Sequence, residues 1–190
     1  MPRTTRTTPA AVAALSLSLG AALSATSCST SSGAGAGTTV ADTTTAGDLV
    51  KGWRTVTDGP ELPLPDGEQV SEKPWTRDTT WRLVNLWSST CSPCRREMPA
   101  LNAFADDADV QVLGVSRDQF VKYAREFEDE VGAEFPSWMD PDGDYADLLY
   151  GLTPRNVLPV SVLTRDGKVA AVHVGPIEDP NSIRQHIVAD

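Results

Sequence analysis

Cys91 and Cys94 stand with two residues between them, where an apolar run hands over to helix formers: Trp87-Ser88-Ser89-Thr90-Cys91-Ser92-Pro93-Cys94-Arg95-Arg96-Glu97-Met98-Pro99. Ahead of the pair, Trp81 to Trp87 is apolar and β-prone, as a strand buried on both faces must be. Behind it, Cys94 to Ala105 carries good helix formers and a helix is predicted there, with Pro99 expected to kink it. A helix starting near Cys91 brings that sulfur to unpaired backbone N–H groups and the positive end of the helix dipole, both of which stabilise a thiolate. In such a setting a thiol of pKa about 8.5 falls to roughly 3.5–7.5. Cys94, one turn on, is expected to be more buried and placed to attack a mixed disulfide formed at Cys91. The spacing therefore reads as a redox centre that needs no cofactor beyond a Cys91–Cys94 disulfide.

The only other cysteine is Cys28, too few for a structural disulfide framework. Structural zinc takes about four ligands. No second cysteine pair exists, only His173 and His186 are available, and no metal is expected. The formal net charge of -10 argues against nucleic-acid binding and against a basic membrane-surface patch. A length of 190 residues with 40% apolar content suits one domain and a tail.

Residues 1–27 read as an export signal: Arg3 and Arg6 precede an uncharged, mildly apolar stretch from Ala10 to Ala25. Ser24-Ala25-Thr26-Ser27-Cys28 resembles the processing box of bacterial lipoproteins, with Ala25 where leucine is commoner, so Cys28 is a candidate for lipidation. A plain secretory signal cut near Ala25 is the alternative. Residues 28–47, rich in Ser, Thr, Gly and Ala, are expected to form a flexible linker. The domain is placed at 48–190, its first part supplying short edge strands and turns.

The pattern Trp87-x-x-x-Cys91-x-Pro93-Cys94-x-x-Glu97-x-Pro99 resembles the thioredoxin superfamily and, within it, the envelope-facing TlpA/ResA-type thiol-disulfide oxidoreductases, over roughly residues 60–190. The resemblance implies an α/β fold: a central mixed sheet flanked by helices, with a strand and helix insertion between the cysteine-bearing helix and a strand led by a cis proline. It implies that Glu97 assists proton movement, and that Trp87, Pro93, Leu158 and Pro159 shape the substrate-binding surface, Pro159 as the cis proline. Asn85 stands where thioredoxins carry a buried aspartate, and an asparagine cannot titrate.

The rest of the chain fits this plan. Val110 to Ser116 reads as a second buried strand, followed by a helix from about Asp118 to Val131 with Phe120, Ala124, Phe127 and Val131 on one apolar face. Phe135 to Met139 is expected to be extended, Tyr145 to Tyr150 briefly helical, Val157 to Leu163 a strand, Arg165 to Lys168 a hairpin turn, and Asn181 to Val188 a closing helix. His173 is expected to pack or hydrogen-bond, and His186 to lie at the surface.

The function expected is thiol-disulfide exchange with protein substrates outside the cytoplasm, at the outer face of the cell membrane if lipid-anchored and otherwise secreted. The resemblance favours a reductant, for instance one that returns apocytochrome c cysteines to thiols, fed by a membrane electron-transfer partner. Three alternatives stand beside it. One is an oxidant of secreted proteins. Another is a copper-binding and delivery module using the thiols as soft ligands. The third is a peroxiredoxin-like peroxidase, whose pattern Pro-x-x-x-Thr/Ser-x-x-Cys finds Ser88 at the hydroxyl position but Val84 at the proline position when counted from Cys91.

Overall fold

The computed structural model describes residues 52–187 apart from 77 and 106. The export signal at 1–27, the lipidation candidate Cys28 and the linker at 28–47 lie outside the described residues. Ten elements follow in chain order: β1 (Gly52–Thr55), β2 (Trp81–Trp87), α1 (Ser92–Asn102), β3 (Val110–Ser116), α2 (Val121–Val131), β4 (Ser137–Met139), α3 (Asp144–Asp147), β5 (Val160–Arg165), β6 (Lys168–Val174) and α4 (Asn181–Arg184). The strands form one mixed sheet in the order β1-β6-β5-β2-β3-β4. β2, β3 and β4 are parallel, while β5 runs antiparallel to β2 and β6 returns antiparallel to β5. Between α1 and β5 lies the strand-helix-strand-helix passage expected from the sequence.

Strand β2 lies between β5 and β3, and β3 between β2 and β4, and six of the seven residues in each are buried. Alternation divides their side chains into two cores. Leu83, Trp87, Val112 and Leu163 face the layer that holds Met98, Leu101 and Phe104 of the α1 region with Phe127 of α2. Val84, Leu86, Leu113, Val115 and Val162 face the opposite layer, with Tyr145 and Leu149. Each fully buried Leu, Met or Phe contributes roughly 1.5–3 kcal/mol.

One transverse row breaks this apolar rule. Register places Trp53, His173, Ser161, Asn85, Gly114 and Ser137 side by side across the sheet. Asn85, the central member, lies on the face that α1 covers. Gly114 has a steric reason to lack a side chain, since a Cβ there would clash with Ser137 and come within 2.7 Å of Trp87 Nε1.

Several boundaries differ from those read in the sequence. α2 starts at Val121, with Phe120 as its N-cap, 65% exposed and outside the apolar face assigned to it. Asp118 therefore belongs to the connection before the helix. α1 runs through Pro99 to Asn102, and α3 covers only Asp144–Asp147. β5 begins at Val160, directly after Pro159. The hairpin between β5 and β6 is the two-residue turn Asp166-Gly167, both with positive φ (49° and 81°), as a tight hairpin requires. His186 is half-buried, stacked on Trp53 with ring centroids 4.8 Å apart, because α4 packs over β1 through the Trp53 Nε1–H donated to Ser182 Oγ. No helix among the described residues is long and apolar enough to cross a membrane.

Candidate active site

The cysteine pair sits where β2 ends and α1 begins, at the carboxyl end of the parallel strands. Cys91 is the N-cap of α1, in extended conformation, and its Sγ accepts the Cys94 N–H at 3.2 Å. A sulfur thus fills the position usually taken by a Ser or Asp oxygen, where it meets an orphan backbone donor and the helix dipole. Pro93 lies in the first turn, where the N–H it lacks has no intrahelical partner to lose. The two cysteines form a disulfide, with Cα atoms 5.3 Å apart. They differ in access: Cys91 is half-buried and Cys94 wholly buried.

Glu97 completes the first turn and a half of α1 and points into the fold, with no exposure to solvent. Its Oε1 accepts from Asn85 Nδ2 at 2.9 Å, and its Oε2 accepts the Ile177 N–H at 3.0 Å. Asn85 Nδ2 also donates to Ser161 Oγ at 3.0 Å. Burial pushes the Glu97 carboxyl up to about 7, partly opposed by the Ile177 and Asn85 hydrogen bonds, which favour the charged form. Near neutral pH it can therefore both give and take a proton. The polar partner that sequence reasoning missed here is Ser161, which reaches Asn85 only because β5 pairs with β2.

Leu158-Pro159 is a cis peptide bond, as the resemblance implied. Pro159 is buried and Leu158 half-buried. Pro159 O accepts the Gly175 N–H at 3.0 Å, and His173 shares a 2.9 Å contact through Nδ1 with Gly175 O. The segment 175–177 thereby joins the proline loop to Glu97. Burial lowers the pKa of His173, favouring the neutral ring. A cleft of about 250 Å³ opens beside this loop, lined by Ser88, Leu158, Val160, Arg117 and Arg155 among others.

Trp87 does not meet that surface. It is fully buried, stacked on Phe127 at 4.8 Å, so the substrate contact expected of it is replaced by a role in the packing beneath the site. Arg95 is turned toward α2, over the Phe127 ring at 4.9 Å and paired with Glu130 at 2.7 Å, while Arg96 is exposed. A second group that sequence reasoning missed is Asp118, 8% exposed. It accepts from Ser89 N–H at 2.9 and 3.2 Å, from Ser89 Oγ–H at 2.8 Å and from Ser116 Oγ–H at 3.0 Å. The available signal was an acidic residue just past a buried strand, at the end of the sheet that carries the cysteines.

A mixed sheet, a cysteine pair at the N-terminus of the helix that follows its central strand, and a cis proline leading into the neighbouring strand define a thioredoxin-like fold. Residues 58–172 match the profile of the AhpC/TSA family, and the chain belongs to that family. Among individual relatives, it is 34% identical over 98 residues to the thioredoxin-like protein YneN of Bacillus subtilis, covering 49% of this chain and 55% of that one. It is 29% identical over 97 residues to the thiol-disulfide oxidoreductase ResA of Halalkalibacterium halodurans, covering 49% and 53%. The chain thus spans about half the length of the curated relatives it matches. A secreted thiol-disulfide isomerase from Corynebacterium glutamicum shares the fold, with TM-score 0.58 and 23% identity over 71% of this chain and 89% of that one.

Proposed function

We propose that the chain is an extracytoplasmic thiol-disulfide oxidoreductase that acts on protein substrates as a reductant. The observation that carries this reading is the asymmetry of the cysteine pair, with Cys91 accessible at the helix N-cap and Cys94 sealed behind it. In the reduced protein the Cys91 thiolate attacks a substrate disulfide; that S–S bond breaks, one substrate thiolate leaves and a mixed disulfide forms. Cys94 then loses its proton to Glu97 and attacks Cys91 Sγ, releasing the second substrate thiolate. Two electrons have passed to the substrate, and the Cys91–Cys94 disulfide remains. The cleft beside Ser88 and Leu158 gives the substrate chain a place to lie next to the loop that leads into Cys91.

Charge supports the reductant direction. The carboxylates of Glu97 and Asp118 are buried near the pair, and Arg95 is engaged elsewhere. Negative charge near Cys91 disfavours its thiolate, which favours the disulfide and makes the dithiol the better electron donor. The ResA relative is named a thiol-disulfide oxidoreductase, which supports the same class. In this reading the disulfide of an apocytochrome c is a substrate, a membrane electron donor the partner and Cys28 the lipid anchor.

Equilibrating the full chain with glutathione buffers and trapping free thiols for mass analysis tests this directly. A potential near or below about −270 mV is expected of a reductant. One near about −120 mV would make the protein a disulfide donor instead. Failure to close the Cys91–Cys94 disulfide would point to copper binding, and rapid peroxide consumption to a peroxidase.

A further inference from the structure

Beyond the ends of β2 and β3, residues 87–89 and 116–118 run side by side and are joined at each step. Trp87 pairs with Ser116 in the ladder, and Arg117 N–H donates to Trp87 O at 2.8 Å. Ser89 is then held by Asp118 through both its N–H and its hydroxyl. Ser116 both donates to the Asp118 carboxylate and accepts the Asp118 N–H at 3.2 Å, so the carboxylate is fixed from its own strand before it reaches across. Hydrogen bonds to an ionised acceptor are roughly twice as strong as neutral ones, which suits a carboxyl group withdrawn this far from water.

We propose that Asp118 is a positioning residue for Cys91. It fixes the Ser88-Ser89-Thr90 loop, whose Ser88 O accepts the Cys91 N–H at 3.1 Å, and so fixes where the Cys91 sulfur is presented. Without it, the loop between the last β2 residue and the first turn of α1 keeps the Ser88 to Thr90 hydroxyl contact at 3.3 Å but loses its tie to the sheet. The inference rests on the reading of Cys91 as the attacking sulfur. It carries an electrostatic corollary, since Asp118 adds negative charge within a few residues' reach of that sulfur. The other charged groups around it are Glu97 on α1, Arg95 held by Glu130, Arg96 in solvent, and Arg117 paired with Asp140 at 2.6 Å. Asp118 is thus an unmatched acid on the loop side, and its removal is expected to ease formation of the Cys91 thiolate.

The test is the rate at which the reduced full chain reacts with glutathione disulfide, measured against pH, for wild type, Asp118→Asn and Asp118→Ala, with thermal unfolding of each. The pH midpoint reports the Cys91 thiol pKa, and the plateau reports how well the thiolate is presented. Asp118→Asn keeps an oxygen for the Ser89 N–H, so its plateau is expected within about threefold of wild type, while its midpoint falls by about half a pH unit through the lost charge. Asp118→Ala is expected to lose about tenfold in the plateau and to shift its midpoint in the same direction. A part in folding alone would lower the melting temperature and leave plateau and midpoint unmoved. An Asp118→Ala protein that folds and keeps the wild-type plateau overturns the proposal; should that variant not fold, an Asp118→Asn protein with the wild-type midpoint overturns it. A wild-type protein inert toward glutathione disulfide overturns the reading of Cys91 itself.

Discussion

Asn85 donates through Nδ2 to Glu97 Oε1 at 2.9 Å, tying the strand that enters the cysteine loop to the helix that leaves it. The asparagine supplies a donor and no proton to lose, so in this pair the glutamate alone titrates. Burial outweighs the two hydrogen bonds and holds its pKa at about 7.

Stability should register that raised pKa. An unfolded glutamate titrates near 4.5, so between about 4.5 and 7 the native protein binds more protons than the unfolded chain. Stability is greatest below this window and falls as pH rises through it. In urea unfolding of the oxidised protein, Glu97→Gln is expected to abolish about 2–3 kcal/mol of the loss between pH 5 and 8. Parallel curves for variant and wild type would contradict the assignment.

Asn85→Ala removes a hydrogen bond to the charged form of Glu97 and another to Ser161 Oγ. The Glu97 midpoint is expected to move further up, and about 1–3 kcal/mol of stability to be lost from the buried partners left unpaired. Titrating the Glu97 carboxyl by carbon-detected NMR in the variant reads the first effect. A midpoint unchanged or lowered would count against it.

Gly114→Ala places a methyl group against Ser137 and Trp87 Nε1 in the middle of the sheet. Neither neighbour has room to retreat, as both residues are fully buried. A loss of about 1–3 kcal/mol in denaturant unfolding is expected, with a change in the fluorescence of the buried tryptophan. A neutral substitution would show that the row has slack.

The elements legible in the sequence are those whose signal is local. β2 and β3 announce themselves as unbroken apolar runs, the start of α1 by its cysteine and proline, and the β5–β6 hairpin by Asp166-Gly167. Pro159 as the cis proline came from the resemblance to the thioredoxin superfamily. What stayed hidden depends on register between distant strands. Ser161 matters because it pairs with Asn85, 76 residues away. Asp118 resembled the first residue of a helix because Phe120 fits an apolar period on paper; the helix begins later and the carboxylate turns back to Ser89. His186 read as a surface residue because nothing local reveals that Trp53 lies beneath it.

The division of labour between the two cysteines is most directly tested by trapping. The Cys94→Ser protein, reduced and mixed with a disulfide-bonded protein substrate, is expected to accumulate a mixed disulfide through Cys91, detectable by mass on a non-reducing gel. Cys91→Ser is expected to trap at least tenfold less, because Cys94 is wholly buried. Equal trapping by the two variants, or trapping through Cys94 alone, would contradict the assignment of Cys91 as the attacking sulfur.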